Sequence, residues 1–439
     1  MREEAENQSK PEQVRNVLSL YSLLVIFTTA CAWKFYYLTK SDTFRRPLFA
    51  HIDRFSDLLL YKDKIGHLSN GAAALAEGLP VFNYPAPAAY VYKILLFSVP
   101  AHPVRLYLTF LSFCVLSLAW IAKCASAAKS PVRISTYAAL ITTVLIGYPL
   151  WFTADRANIE GIVWAFSAIG LCFFLKNRYW AAGILFGIAA VIKPFPVLFF
   201  LLLLRRKKFK ETALGGAVGA IILIAALASL GPNPLQAYRD MQPGIARYMK
   251  KQGANLGTPE EARFEHSLLD GMKSAALLAK TRSFHTGRTV EVTSELIARP
   301  EIPRPLRTML RVYPIIVVAF IALLIFSFYR LPILNQLTAT SVSVTLFPLV
   351  SADYTLLYLY VPFGAFVIFL AREVATGRAR IHVHAMTALA TIYALLFAPL
   401  TFLKIYAGDA KLLLLLALLF VVSQVPMRSA YFDHLSSEP

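Results

Sequence analysis

The sequence predicts an all-α, polytopic transmembrane helical bundle, and three observations predict it. Hydrophobic residues make up 57% of the 439 positions and charged residues only 16%, well outside the shares of an ordinary globular chain. Apolar stretches of roughly 17–25 residues recur along nearly the whole chain, each long enough to cross hydrocarbon as a helix. Lys and Arg gather between these stretches, as in the positive-inside pattern. Lipid offers no partner to backbone amides, so a spanning segment is a helix or part of a closed barrel. The short alternating segments of a barrel do not occur.

Taken in order, the predicted spans cover residues 17–37, 106–121, 135–152, 159–175, 180–204, 212–230, 314–328, 334–350, 354–370, 385–403 and 412–425. A proline-broken apolar stretch lies at 86–100. The chain is expected to cross the bilayer about ten times as one membrane domain, 1–439. Two long polar segments, 38–85 and 231–313, interrupt the spans, and 260–278 within the second reads as helical. Basic clusters set the orientation: Lys123, Lys129 and Arg133; Lys176 and Arg178; Arg205, Arg206, Lys207, Lys208 and Lys210; Arg372, Arg378 and Arg380. Two of these clusters flank the single apolar run 180–204, and a simple crossing helix cannot have both ends on one side. Lys193-Pro194-Phe195-Pro196 interrupts that run, and prolines break helices. The run is therefore expected to fold as a hairpin with Lys193 at its tip; one kinked helix is the alternative. With the hairpin, both termini are cytoplasmic and the two polar segments become external loops. The first apolar run reads as a retained signal anchor.

A formal charge of +19 would suit nucleic acid, but the basic residues sit in loops between apolar spans, so anionic lipid is the better explanation. Cys31, Cys114, Cys124 and Cys172 show no metal spacing. No repeat and no pair of symmetric halves of the transporter kind is visible. Gly183 with Gly187, and Gly215 with Gly219, are small-xxx-small pairs that predict close helix packing.

Several polar groups lie where apolar spans end. The first loop holds Asp53, Asp57, Tyr61, Asp63 and His67, then Asn83 and Tyr84. A carboxylate at the membrane boundary can act as a general base on a hydroxyl, or be an ordinary solvated acid. Asp155-Arg156-Ala157-Asn158-Ile159-Glu160 is a charged cluster between two spans, functional or a helix cap. Lys193 offers a cation to an anionic group or snorkels to the interface. His266-Ser267 and Ser351-Ala352-Asp353-Tyr354 complete the set.

The stretch from Asp57 through Tyr61 and Gly78 to Asn83-Tyr84-Pro85 resembles the opening of the GT-C glycosyltransferases. Within them it is most similar to the polyprenol-phosphate-mannose-dependent α-mannosyltransferase family. The run from Tyr179 through Gly183, Gly187 and Lys193-Pro194 to Arg205-Arg206 is similar to that family's most recognisable motif. Asn158 and Glu160 fall where related families carry a polar pair. The resemblance covers roughly residues 50–235. It implies a GT-C bundle in the plasma membrane with an extracytoplasmic active site. It also implies transfer of a sugar, mannose or another hexose or pentose, from a polyprenyl-phosphate donor to a glycan or glycolipid acceptor. Asp57 would be the base. Lys193 and Arg156 would bind the donor phosphate, and Tyr61, Tyr84, Asn158, Glu160, His266 and Asp353 would shape the pocket. The resemblance implies no obligatory metal or other cofactor, since no D-x-D stands in the first loop, although a divalent ion could be recruited. The rival readings are a lipid or solute transporter or flippase, and a non-catalytic polymer-assembly membrane protein. Loss of the Lys193 cation, as in Lys193→Met, is expected to weaken donor binding and turnover with stability nearly unchanged.

Overall fold

The computed structural model describes residues 24–26, 28–33, 55–77, 82–125, 143–254, 264–281, 304–328, 330–370, 383–400, 403 and 406–429. Among them every regular element is helical. The basic residues Lys129, Arg133, Arg372, Arg378 and Arg380, together with Asp53 and Gly78, fall outside the described residues.

Where it is described, the first polar loop is helical. Helices α1 (Ser56–Leu59), α2 (Lys62–Gly66) and α3 (Ala72–Ala76) follow one another with a 3-10 turn at Leu68–Asn70. Gly71 joins that turn to α3 at φ 88°, ψ −174°, a region open to glycine alone. There the amide of Ala72 reaches the Leu230 carbonyl at 2.8 Å. After it come α4 (Ala86–Phe97), α5 (Pro103–Ala125), α6 (Tyr148–Arg156), α7 (Glu160–Leu175) and α8 (Tyr179–Ile192). A 3-10 turn at Phe195–Phe199 leads to α9 (Phe200–Arg205) and α10 (Phe209–Ala228).

The 180–204 run is an antiparallel hairpin. The Phe186 ring stacks on Phe199 with centroids 5.4 Å apart, and the Lys208 ammonium lies 4.9 Å from the Tyr179 ring at the open end. Lys193 is at the turn, in extended conformation at φ −142°, ψ 132°, directly after α8. The missing amide of Pro194 explains why the helix stops there. From the open end α10 returns alongside α8, with Gly183 and Gly187 against Gly215 and Gly219. A methyl group on Gly187 would overlap the Gly215 carbonyl, so both small pairs exist to let the backbones touch.

The second polar segment is also largely helical where it is described. α11 (Pro234–Ala254) lies on α3, and Arg247 donates to the Ala76 carbonyl. Lys64 donates to the carbonyls of Leu75 and Glu77, so two cations close the last turn of α3. α12 runs from Leu268 to Thr281, later than the predicted 260–278. Ser267 starts it, its hydroxyl accepting from the Asp270 amide at 3.0 Å, a normal N-cap. α13 (Arg304–Phe328) begins ten residues before the expected span and carries Pro314 inside it.

α14 (Ile333–Leu346) is buried at every position despite Asn335, Gln336 and five hydroxyl residues. Most of those side chains reach backbone carbonyls: Asn335 donates to the carbonyls of Val422 and Val425 on another helix, and Thr338, Ser343 and Thr345 each donate to the carbonyl four residues earlier. A 3-10 turn (Asp353–Leu359), α15 (Tyr360–Phe369), α16 (Val383–Leu396) and α17 (Ala407–Gln424) complete the bundle.

Three helices among the described residues are long and apolar enough to cross a membrane: Phe209–Ala228, Thr308–Ser327 and Ala407–Gln424. Although α5 is longer than its run, most of the other apolar helices are shorter than the runs of sequence that predicted them. The 14 residues of α8, for example, span roughly 21 Å. Gly147 and Lys193-Pro194 interrupt two of the runs, and Ser351-Ala352 falls between the two spans predicted to either side of it. Such breaks are tolerated at membrane depth where protein, not lipid, surrounds the backbone.

Candidate functional site

Asp57, Arg156, Asn158, Glu160 and Lys193 meet at the end of the bundle that carries the hairpin tip. Two residues in left-handed conformation build the meeting point. Phe55, at φ 60°, precedes α1 and donates its amide to the Asp155 carbonyl at 2.7 Å, which brings Asp57 to the α6–α7 corner. Ala157, at φ 48°, ends α6. A left-handed residue other than glycine costs about 1–2 kcal/mol, and here the reversal puts Arg156 and Asn158 on the same carboxylate.

Arg156 Nη2 donates to Asp57 Oδ1 and Asn158 Nδ2 to Asp57 Oδ2, each at 2.7 Å. Both carboxylate oxygens are thereby oriented, and each keeps lone-pair capacity for another donor. The Asp57 side chain is 17% exposed and that of Arg156 34%, so the pair is within reach of a ligand. Asn158 is the hub. Its Oδ1 accepts from the Glu160 amide at 2.8 Å, and its carbonyl accepts from Tyr107 Oη at 2.7 Å. Asn158 thus caps α7 and holds Asp57 with the same side chain.

Glu160 starts α7 with a side chain only 3% exposed. It takes the Lys193 ammonium on Oε2 and the Tyr358 hydroxyl on Oε1. Lys193 is thus an ion-paired group, and Glu160 holds it in place. The ammonium also lies 5.8 Å from the Tyr84 ring and 5.2 Å from the Tyr354 ring, within cation–π range of both. The expectation that Lys193→Met leaves stability unchanged does not survive this pairing, because the substitution strands a buried carboxylate.

Tyr84 packs edge-on against Tyr61 and Phe82, with Tyr92 behind. Tyr61 donates to Asn83 Oδ1 at 3.0 Å. Burial pushes the Tyr61 phenol well above its usual range, with Tyr248 and Asp57 adding to it. Burial does the same to Tyr84, helped by Tyr92, Tyr61, Tyr354 and Asp57. Both phenols stay protonated beside the Asp57 carboxylate. Asp63 and His67 are exposed on α2 and its end.

His266 and Asp353 form a second, fully buried network. Lys411 Nζ reaches Asp353 Oδ1 at 2.6 Å, with both side chains at 0% exposure. His266 Nδ1 lies 3.2 Å from the Phe264 carbonyl and 3.6 Å from Asp353 Oδ1, and Nε2 lies 3.1 Å from the Thr355 hydroxyl. Burial first, then the Lys411 charge, pulls the His266 pKa down to about 3, so the imidazole is neutral. The network adjoins the first site through Tyr354, whose ring stacks on Phe152. His266 and Asp353 therefore tie the long segment to the 3-10 turn behind the site and do not line an open pocket.

Tyr358 and Lys411 do not emerge as site residues in the sequence. Lys411 carried a signal, a lone cation at the head of an apolar run. Tyr358 carried none, being one of three tyrosines in an apolar stretch. Among the described residues no cluster of three or more His, Cys, Asp or Glu side chains forms a metal-binding group.

The fold and site together define a helical membrane protein with ionised groups gathered at one end of its bundle. The chain belongs to glycosyltransferase family 87, a membrane family of GT-C type, whose model matches residues 82–352. That match takes in Arg156, Asn158, Glu160, Lys193 and His266, and leaves Asp57, Asp353 and Lys411 outside. A comparison with curated proteins found no match.

Proposed function

We propose that the chain transfers a sugar from a polyprenyl-phosphate carrier to a hydroxyl of a glycan or glycolipid acceptor, at the extracytoplasmic face of the plasma membrane. The observation that carries this reading is the Asp57 carboxylate, oriented by Arg156 and Asn158 and partly exposed, with Asn158 leading on through Glu160 to the Lys193 ammonium. The acceptor hydroxyl gives its proton to Asp57 as its oxygen attacks the anomeric carbon in line. The bond from that carbon to the phosphate oxygen breaks, and the polyprenyl phosphate departs with the electron pair. The leaving group needs cations, not an acid, and Arg156 and Lys193 are the cations at hand to stabilise it. Tyr84 and Tyr354 frame the ammonium and offer protonated phenols to sugar hydroxyls. Mannose is the sugar the sequence resemblance favours.

The test is a transfer assay with purified protein and a panel of polyprenyl-phosphate sugars. One donor should give product with wild type. Asp57→Asn should lower turnover about 10²–10⁴-fold, the usual range for a general base, with donor binding retained. Labelled sugar lipid crossing a sealed vesicle without product would favour the transporter reading. Full activity of Asp57→Asn would remove Asp57 as base.

A further inference from the structure

At the end of the bundle opposite Lys193 lies a cleft of about 190 Å³ between α9, α13 and α14. Leu201, Leu202, Leu204, Leu324 and Ile325 make its walls apolar, with Gln336 and Thr340 at its floor and Arg205 at one end. Its lips open outward, where Leu204 is 39% and Ile325 50% exposed. α13 turns most of its apolar surface away from the protein, so the lips face lipid.

The charge around Arg205 is one-sided. Arg206, Lys207, Lys208 and Lys210 follow it, with Glu211 the one acid in that stretch. The hairpin geometry gathers this cluster beside Tyr179, and Arg330 is exposed in the turn between α13 and α14. An apolar slot with a cation at one end has two requirements, a hydrocarbon chain and an anionic head on the same molecule. Basic pockets between membrane helices meet that description for acidic lipids.

We infer that this cleft binds one anionic phospholipid, an acyl chain lying along Leu201–Leu204 and Leu324–Ile325 and the phosphate on Arg205. The site is separate from the reaction end and does not depend on the transferase reading.

Native mass spectrometry of the full-length protein in neutral detergent tests it, with phosphatidylglycerol and phosphatidylcholine of identical acyl chains as probes. Wild type should retain one phosphatidylglycerol at least tenfold more tightly than phosphatidylcholine. Arg205→Gln should reduce that preference about fivefold, the effect of one interfacial cation. Ile325→Trp, at an exposed lip and harmless to the core, should displace both lipids. Equal retention of the two lipids by wild type would overturn the inference, as would an unchanged preference in Arg205→Gln. Displacement of the bound lipid by millimolar inorganic phosphate would also overturn it, by showing a site for the head alone.

Discussion

Removing the Lys193 ammonium should destabilise the protein, and the size follows from the burial of its partner. Glu160 is 3% exposed and Lys193 17%, so Lys193→Met leaves a carboxylate with only the Tyr358 hydroxyl and the protein interior. Stranding one member of a buried pair typically costs about 3–5 kcal/mol. Glu160→Gln should cost less, because the amide still accepts from Lys193 and the ammonium can reach water. The double variant Lys193→Met, Glu160→Gln should recover most of the stability, since no charge is left behind. Its turnover should stay low, because the cation proposed to face the leaving phosphate is gone. Unfolding in mixed micelles at pH 7, paired with the transfer assay, separates the two readouts. A Lys193→Met protein as stable as wild type at pH 7 would refute the pairing argument.

The remaining predictions concern packing and the second network. Gly187→Ala should lower stability by about 1–3 kcal/mol, the usual penalty of overpacking, because its methyl group meets the Gly215 carbonyl and not a movable side chain; unfolding measurements that show no loss would mean that α8 and α10 are further apart. His266, with its pKa lowered to about 3 against 6.5 for the free side chain, stabilises the fold fully above pH 6.5 and progressively less as the pH falls toward 3. Between pH 7 and pH 5 its share of the loss is about 2 kcal/mol, and His266→Gln should remove that part of the acid dependence.

Much of the bundle was legible because lipid restricts the options. Long apolar runs must be helical, and five cations in six positions beside a second basic cluster require the chain to turn back between them. That reasoning located the hairpin and its tip at Lys193, and the glycine pairs located the helix contact. Helix ends were less legible, since an apolar run looks the same whether lipid or protein surrounds it. The break at Ser351-Ala352 was legible as a polar gap between two spans, but the sequence offers no sign that α14 is wholly interior. The polar residues of α14 spend their hydrogen bonds on nearby backbone, which hydropathy does not record. Asp57, Arg156, Glu160 and Lys193 were visible as charges, and Asn158 as a polar residue, near span ends. The pairing among them was not, because it depends on left-handed Phe55 and Ala157, neither a residue that announces such a conformation.

The charges at the site sum to zero: Asp57 and Glu160 against Arg156 and Lys193. A donor phosphate must therefore compete with two internal carboxylates for its cations. The proposed reaction resolves that competition. When Asp57 takes the acceptor proton it loses its charge, and the 2.7 Å contact with Arg156 weakens just as the departing phosphate gains charge. The guanidinium is thereby released toward the leaving group in the transition state and not before, which is the condition for an interaction to raise turnover rather than ground-state affinity. It follows that Asp57 and Arg156 act as one unit. Arg156→Gln should lower turnover more than it raises the donor KM, and adding it to Asp57→Asn should cost little further, as expected for groups that work through each other. The four turnover numbers of wild type, the two single variants and the double variant decide the matter. If the single losses simply multiply in the double variant, proton uptake and phosphate stabilisation are independent, and Arg156 serves only to orient the base.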